Sequence, residues 1–127
     1  MYPFSVACNK THILVLNLGT NWIKFNVEQK GFYRVNYPRE DWNEFVKILD
    51  TDMEKFNQAD RSSLLNDAFS LAESGHLGYD IPILMTTYLK KEEGLIPWET
   101  VYKSLEKIRG LLEGTKVYPL LRKVYLF

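Results

Sequence analysis

The stretch WIKFNVEQKGFYRVNY, residues 22–37, decides how this 127-residue chain is read. In residues 22–27 apolar and polar positions alternate, with Ile23, Phe25 and Val27 against Lys24 and Asn26. The alternation resumes after a gap, with Tyr33, Val35 and Tyr37 against Arg34 and Asn36. A period of two with aromatic and β-branched residues is the signature of a half-buried strand. Between the two runs, Glu28-Gln29-Lys30-Gly31 supplies a turn, and glycine is the residue that adopts a positive φ without penalty. The stretch therefore predicts a β-hairpin with one apolar face.

Upstream, residues 12–18 (HILVLNL) predict a further strand, closed by Gly19-Thr20-Asn21. A sheet this small has open edges, which invite association with another strand. The β portion, residues 1–37, thus reads as the remnant of a larger sheet or as a patch covered by the helices that follow.

Downstream, residues 38–127 carry helical periodicity nearly throughout. Pro38 opens a first helix in which Trp42, Phe45, Val46 and Leu49 share a stripe, and Asp50-Thr51-Asp52 ends it. Asn57 caps a second helix, with Asp60 three positions on and Gly75 just past its end. Leu64, Leu65, Ala68, Phe69, Leu71 and Ala72 make this helix apolar over more than one stripe, which predicts that it is the most buried. A third helix starts at Asp80 and carries Ile81, Leu84, Met85, Tyr88 and Leu89, and Lys90-Lys91-Glu92-Glu93 reads as its solvated end before Gly94. Pro97 opens a fourth, with Trp98, Val101, Tyr102, Leu105, Ile108 and Leu112, stopped by Gly114. A fifth, from about Lys116, carries Val117, Leu120, Leu121, Val124 and Tyr125. The expected fold is mostly α with a small N-terminal antiparallel β portion, followed by antiparallel helices stacked in a solenoid-like array. A strict internal repeat is absent from the sequence.

Composition narrows the function. Hydrophobic residues make up 46% of the chain, enough to fold. Sixteen basic and sixteen acidic residues cancel, which argues against a nucleic-acid binder. No apolar run approaches the roughly 18 residues of a membrane span, and the first residues do not resemble a signal peptide. Cys8 is the sole cysteine, so no internal disulfide forms. Asn9-Lys10-Thr11 fits the glycosylation tripeptide, a pattern that arises often by chance.

Chemistry is sparse. His12 and His76 are the only histidines, and neither has a second ligand at metal-binding spacing. His76 beside Gly75 reads as a surface or capping residue. His-Glu-x-x-His, G-x-S-x-G, the P-loop and the dinucleotide fingerprint are all absent. Asp60 and Asp67, seven positions apart, could share a helix face, but capping and solvation explain them better than catalysis. Glu92 and Glu93 are adjacent and point different ways. Trp42, Phe69 and Trp98 read as core. The residues thus give no catalytic, cofactor-binding or metal-binding assignment.

With these residues laid out, a resemblance emerges. The runs Trp22-Ile-Lys-Phe-Asn-Val and Gly31-Phe-Tyr-Arg-Val-Asn-Tyr, followed by Trp42, resemble the end of the β-sandwich domain of gluzincin zinc aminopeptidases. That family includes aminopeptidase N, glutamyl aminopeptidase and the endoplasmic-reticulum aminopeptidases. The run from Ala59 to Ala72, ADRSSLLNDAFSLA, is similar to an early helix of their C-terminal helical domain. Tyr88-Leu-Lys-Lys-Glu-Glu and Pro97-Trp-Glu match the helices that follow, and the resemblance covers residues 22–124. It implies the end of a sandwich joined to the start of a helical cap over a peptide chamber. The zinc and the exopeptidase motif of that family lie in a separate catalytic domain, so no metal or catalytic residue carries over and this chain alone is expected to be inactive. Implied partners are a peptide or the remainder of an aminopeptidase, with the open β edge as a further contact. The alternative is a stand-alone helical module that binds a peptide or a protein. Family members are often membrane-anchored ectoenzymes or lumenal proteins.

Overall fold

The computed structural model describes residues 2–7, 12–16 and 22–125, with side chains from Trp22 to Lys123. Cys8 and the tripeptide Asn9-Lys10-Thr11 lie outside the described residues. Three strands, β1 (Tyr2–Ala7), β2 (His12–Leu16) and β3 (Arg34–Asn36), form an antiparallel sheet in the order β2-β1-β3. Five α-helices follow: α1 (Arg39–Asp52), α2 (Gln58–Glu73), α3 (Asp80–Met85), α4 (Leu95–Leu112) and α5 (Tyr118–Tyr125). The mostly α class with a small N-terminal antiparallel sheet is the one the sequence predicts.

The expected hairpin is not formed. Residues 22–26 are not a strand, and β3 pairs instead with β1, placing Val35 opposite Val6. The reason lies in the turn. Asn26, Glu28 and Gln29 take left-handed φ angles of 54°, 57° and 55°, and Val27–Gln29 makes a 3₁₀ turn. Gly31 has no positive φ, so the flexible residue and the strained positions do not coincide. Side chains replace the missing ladder: Phe25 N–H donates to Tyr37 Oη at 2.9 Å, and Gly31 N–H donates to Asn26 Oδ1 at 2.7 Å. The segment 22–33 is thus a strap laid on the helices, with Trp22 and Phe25 packed against their core. That core is aromatic at this end. Tyr37, Trp42, Phe45 and Phe56 are buried and meet edge to face, the Tyr37 and Phe45 rings at 4.9 Å.

α1 begins after Pro38, whose carbonyl accepts the N–H groups of Asp41 and Trp42. Its buried set is Asp41, Trp42, Phe45, Ile48 and Leu49, with Val46 only partly covered. Asn57 caps α2 as expected: its side chain accepts the Asp60 N–H at 2.8 Å. The helix ends in a Schellman motif, with His76 N–H donating to the Leu71 carbonyl and Gly75 N–H to the Ala72 carbonyl. Gly75 has φ of 77°, the left-handed value this ending requires. α2 is buried nearly all round, from Asp60 to Ala72.

The third helix is shorter than expected. It is α-helical only to Met85 and tightens to 3₁₀ over Thr86–Lys91. Ile81, Met85, Tyr88 and Leu89 are buried, but Leu84 is exposed. α4 buries Pro97, Val101 and Leu105, while Trp98 is 44% exposed and Tyr102 55%. Trp98 is therefore not core. Its indole N–H donates to the Glu92 carbonyl at 3.0 Å, covering a polar group at the start of α4. α2 packs on α4 and α3, α1 on α3, and α5 on α4.

The cap offers a direct check. Asn57→Ala leaves the Asp60 N–H without its acceptor and is expected to lower stability by about 1 kcal/mol. Asn57→Asp keeps the acceptor and is expected to change it little. Urea denaturation midpoints measure both.

Candidate functional site

α2 is the element on which polar chemistry converges. Asp60 and Asp67 lie on its side toward the strap, and both are buried. Asp60 Oδ1 stands 2.7 Å from Lys24 Nζ and accepts the Glu28 N–H at 2.8 Å. Asp67 Oδ1 meets Arg34 Nη1 at 3.2 Å, and its Oδ2 accepts the Val35 N–H at 3.2 Å. Each aspartate thus neutralises one cation and satisfies one backbone donor of the segment that precedes the helices. Burial pushes the Asp67 carboxyl above its ordinary range, against the opposing pull of the Val35 N–H and Arg34. The expectation that these two residues are solvated is overturned. The strap covers them, and its cations and amides are their partners.

Behind them, Arg61 and Glu92 form a bidentate pair: Nε to Oε2 at 2.6 Å and Nη2 to Oε1 at 2.9 Å. The Glu92 side chain is fully enclosed, and Arg61 also donates to the Phe56 carbonyl at 2.7 Å. Glu92 is therefore not a solvated helix end. Burial pushes its carboxyl up, but the Arg61 guanidinium and the Gly94 N–H pull harder, and it ends below the ordinary range. The hydrogen bonds to Glu92 raise Arg61 in turn. Tyr88 Oη is enclosed beside this pair, and burial, then the Glu92 carboxylate, pushes its phenol well up. Glu93, as expected, is exposed.

Two grooves flank α4. One, of about 370 Å³, runs between α2 and α4 and is lined by Arg34, Ser70, Glu73, Thr100, Lys103, Ser104 and Lys107. Its cations are paired, Lys107 with Glu73 at 2.8 Å, Lys103 with Glu99 at 2.7 Å and Arg34 with Asp67. The other, also about 370 Å³, is apolar and lies between α3, α4 and α5, with Tyr79, Ile83, Leu105, Ile108, Leu111, Val117 and Leu121 on its walls. The first can hydrogen-bond an extended polar ligand. The second can only exclude water from an apolar one.

Activating groups are scarce. His76 is exposed at the end of α2, and its Nδ1 lies 2.9 Å from Ser74 Oγ. Ser74 Oγ also donates to the Leu71 carbonyl at 3.1 Å. A hydroxyl has one proton, so when it bonds that carbonyl the imidazole acts as the donor to Ser74. This pair finishes a helix and has no third group to orient it. Among the described residues, no group of three or more His, Cys, Asp or Glu side chains could hold a metal ion. The His12 side chain is outside those described.

A short sheet strapped by buried aspartates to a run of packed helices defines a class: a helical domain entered directly from the end of a β layer. The chain belongs to the ERAP1-like C-terminal domain family, which it matches over residues 22–126. It is 38% identical to mouse glutamyl aminopeptidase over 108 residues, covering 84% of this chain and 11% of that protein. It is 34% identical to aminopeptidase N of Plutella xylostella over 106 residues, again 84% of this chain and 11% of the relative. With the mouse thyrotropin-releasing hormone-degrading ectoenzyme, identity is 32% over 106 residues, 84% of this chain and 10% of that protein. The chain thus spans about a ninth of the length of these relatives. Among the described residues, no helix is long and apolar enough to cross a membrane.

Proposed function

We propose that this chain is the junction between the last β-strands and the first helices of a zinc aminopeptidase, and that it supports catalysis without performing it. The carrying observation is the family match over residues 22–126 together with relatives that are named aminopeptidases. The parent activity on this reading is removal of N-terminal residues from peptides. Zinc would belong to another part of that parent, because the described residues of this chain do not fit a zinc site. The helices then serve as part of a cap, and the aspartate-strapped joint fixes its angle to the sheet. Contacts of α1 with α3 and of α2 with α4 support reading the helices as the first turns of a stacked array.

The test is direct. The purified chain, supplied with zinc, is expected to leave aminoacyl-p-nitroanilides intact. Metal-dependent release of p-nitroaniline would overturn the proposal. A second reading, a stand-alone module that grips a peptide or an aminopeptidase body, is favoured by the two grooves along α4. Pull-down of full-length aminopeptidase by the purified chain separates the two, since the free-standing module needs a partner that it retains.

A further inference from the structure

We infer that the Asp41 carboxyl, enclosed at the start of α1, is a proton-uptake site that tightens the junction of β3 with α1 as the solution turns acidic. Asp41 is 3% exposed. It is the third residue of α1, and Pro38 precedes that helix as its N-cap. A carboxylate at this position ordinarily reaches back to accept the N–H of the capping residue. Proline has no N–H, so the ordinary donor is missing. Among the described residues, no hydrogen bond or ion pair reaches the Asp41 carboxyl. Nor can the turn rotate to bring it to water. Trp42, the next residue, is fully enclosed, and its indole N–H donates to Asn36 Oδ1 at 3.0 Å.

The charges around Asp41 give it no relief. On its own helix, Arg39 is committed to Asp80 at the start of α3, and Glu40 repels it. On β3, Arg34 is turned to Asp67. Two 3₁₀ stretches, Met53–Lys55 and Thr86–Lys91, also pack against α1. There Lys55 meets Asp52 and Lys91 meets Asp50, both at the far end of α1, while Glu54 and Lys90 are exposed. Among the described residues Glu40 is thus the one charge that acts on Asp41, and it acts against ionisation. The positive end of the α1 dipole favours the ionised form. Burial outweighs it and, with Glu40 adding, holds the carboxyl above its ordinary 3.8.

In the unfolded chain Asp41 ionises at that ordinary value, so folding in neutral solution encloses an anion. As the pH falls through the raised folded value the carboxyl takes a proton, the enclosed charge disappears and the start of α1 is stabilised. The gain is complete below 3.8. Asp80 works in the opposite sense: Arg39 holds it below the ordinary value, so its contribution is lost only at lower pH. The two groups are therefore separated along the pH axis. The inference needs only this chain and is independent of the aminopeptidase reading.

Asparagine has nearly the shape of a protonated aspartate and carries no charge at any pH. Asp41→Asn is therefore expected to raise the urea midpoint at neutral pH, and the advantage should narrow as the pH falls toward 3.8. A carbon-13 titration of the Asp41 carboxyl in the unsubstituted chain is expected to place its midpoint above 3.8, and this reading does not depend on the variant folding. Amide exchange at neutral pH should show protection gained over residues 39–45 in Asp41→Asn. A carboxyl that titrates at or below its ordinary value, a midpoint difference that is the same at every pH, or unchanged protection over residues 39–45 would each overturn the inference.

Discussion

Replacing Glu92 by alanine is expected to lower the stability of this chain by about 3–5 kcal/mol, the cost of stranding a buried partner charge. The domain as a whole should be worth only about 5–15 kcal/mol, so the variant sits near the edge of folding. The stranded group is Arg61, whose side chain is 8% exposed and would keep only the Phe56 carbonyl as acceptor. The loss is large because the remaining charge can neither reach water nor neutralise itself. The double variant Arg61→Met with Glu92→Leu removes both charges and is expected to recover most of it. Urea unfolding distinguishes the cases: the midpoint should fall in the single variant and largely return in the double, with the slope unchanged. Because the pair is enclosed, added salt should alter neither result much.

The same pair sets a pH dependence. The Glu92 carboxyl lies below its ordinary value of 4.5, so the folded state favours its ionised form. Its contribution is fully present above that value and is lost as the pH falls through the lowered folded one. Asp67 acts in the opposite sense. Burial raises it above its ordinary 3.8, so ionisation costs the folded state, and that cost is relieved on acidification. Glu92→Gln should therefore flatten the acid limb of the stability profile, and Asp67→Asn should steepen it.

Local signals explain which parts of this fold were legible in the sequence. The Asn57 cap and the Gly75 ending are set by contacts within a few residues, and the sequence shows both. The burial of α2 followed from its width of apolar coverage. The sequence predicts a hairpin where the strap lies because an alternating pattern records which side chains are covered, not what the backbone pairs with. Trp22 and Phe25 are covered by helices, so the period of two survives without a ladder. Sequence reasoning places Asp60, Asp67 and Glu92 in solvent because charge is normally outside. Their partners Glu28, Val35 and Arg61 lie 32, 32 and 31 positions away, and no local pattern announces a contact at that range. Charged residues are no denser in 22–37 or in α2 than over the whole chain, where they make up 25%, so only the folded arrangement pairs them.

Asp60→Ala is expected to be the second most damaging of these changes, at about 3 kcal/mol. Its removal leaves Lys24 with only the Phe25 and Asn26 carbonyls, in a position where the side chain is 5% exposed. It also strands the Glu28 N–H within a turn already held in left-handed backbone. The matching test is Lys24→Met, which replaces the ammonium with an apolar group of similar length. On that background Asp60→Ala should cost clearly less, and the difference is the coupling between the two charges. Asp67 provides the contrast. Asp67→Asn keeps an acceptor for the Val35 N–H and gives up a carboxylate that burial already disfavours, so a change under about 1 kcal/mol is expected. Asp67→Ala removes that acceptor and should cost about 2 kcal/mol. Amide exchange locates the consequence: in Asp60→Ala the protection lost should be concentrated in residues 24–31, while the α2 interior keeps its own. Uniform loss across α2 would mean that the strap is part of the helical core and not a separable joint. Loss confined to the strap would identify Asp60 as the point at which the sheet's attachment to the helices can be loosened without melting them.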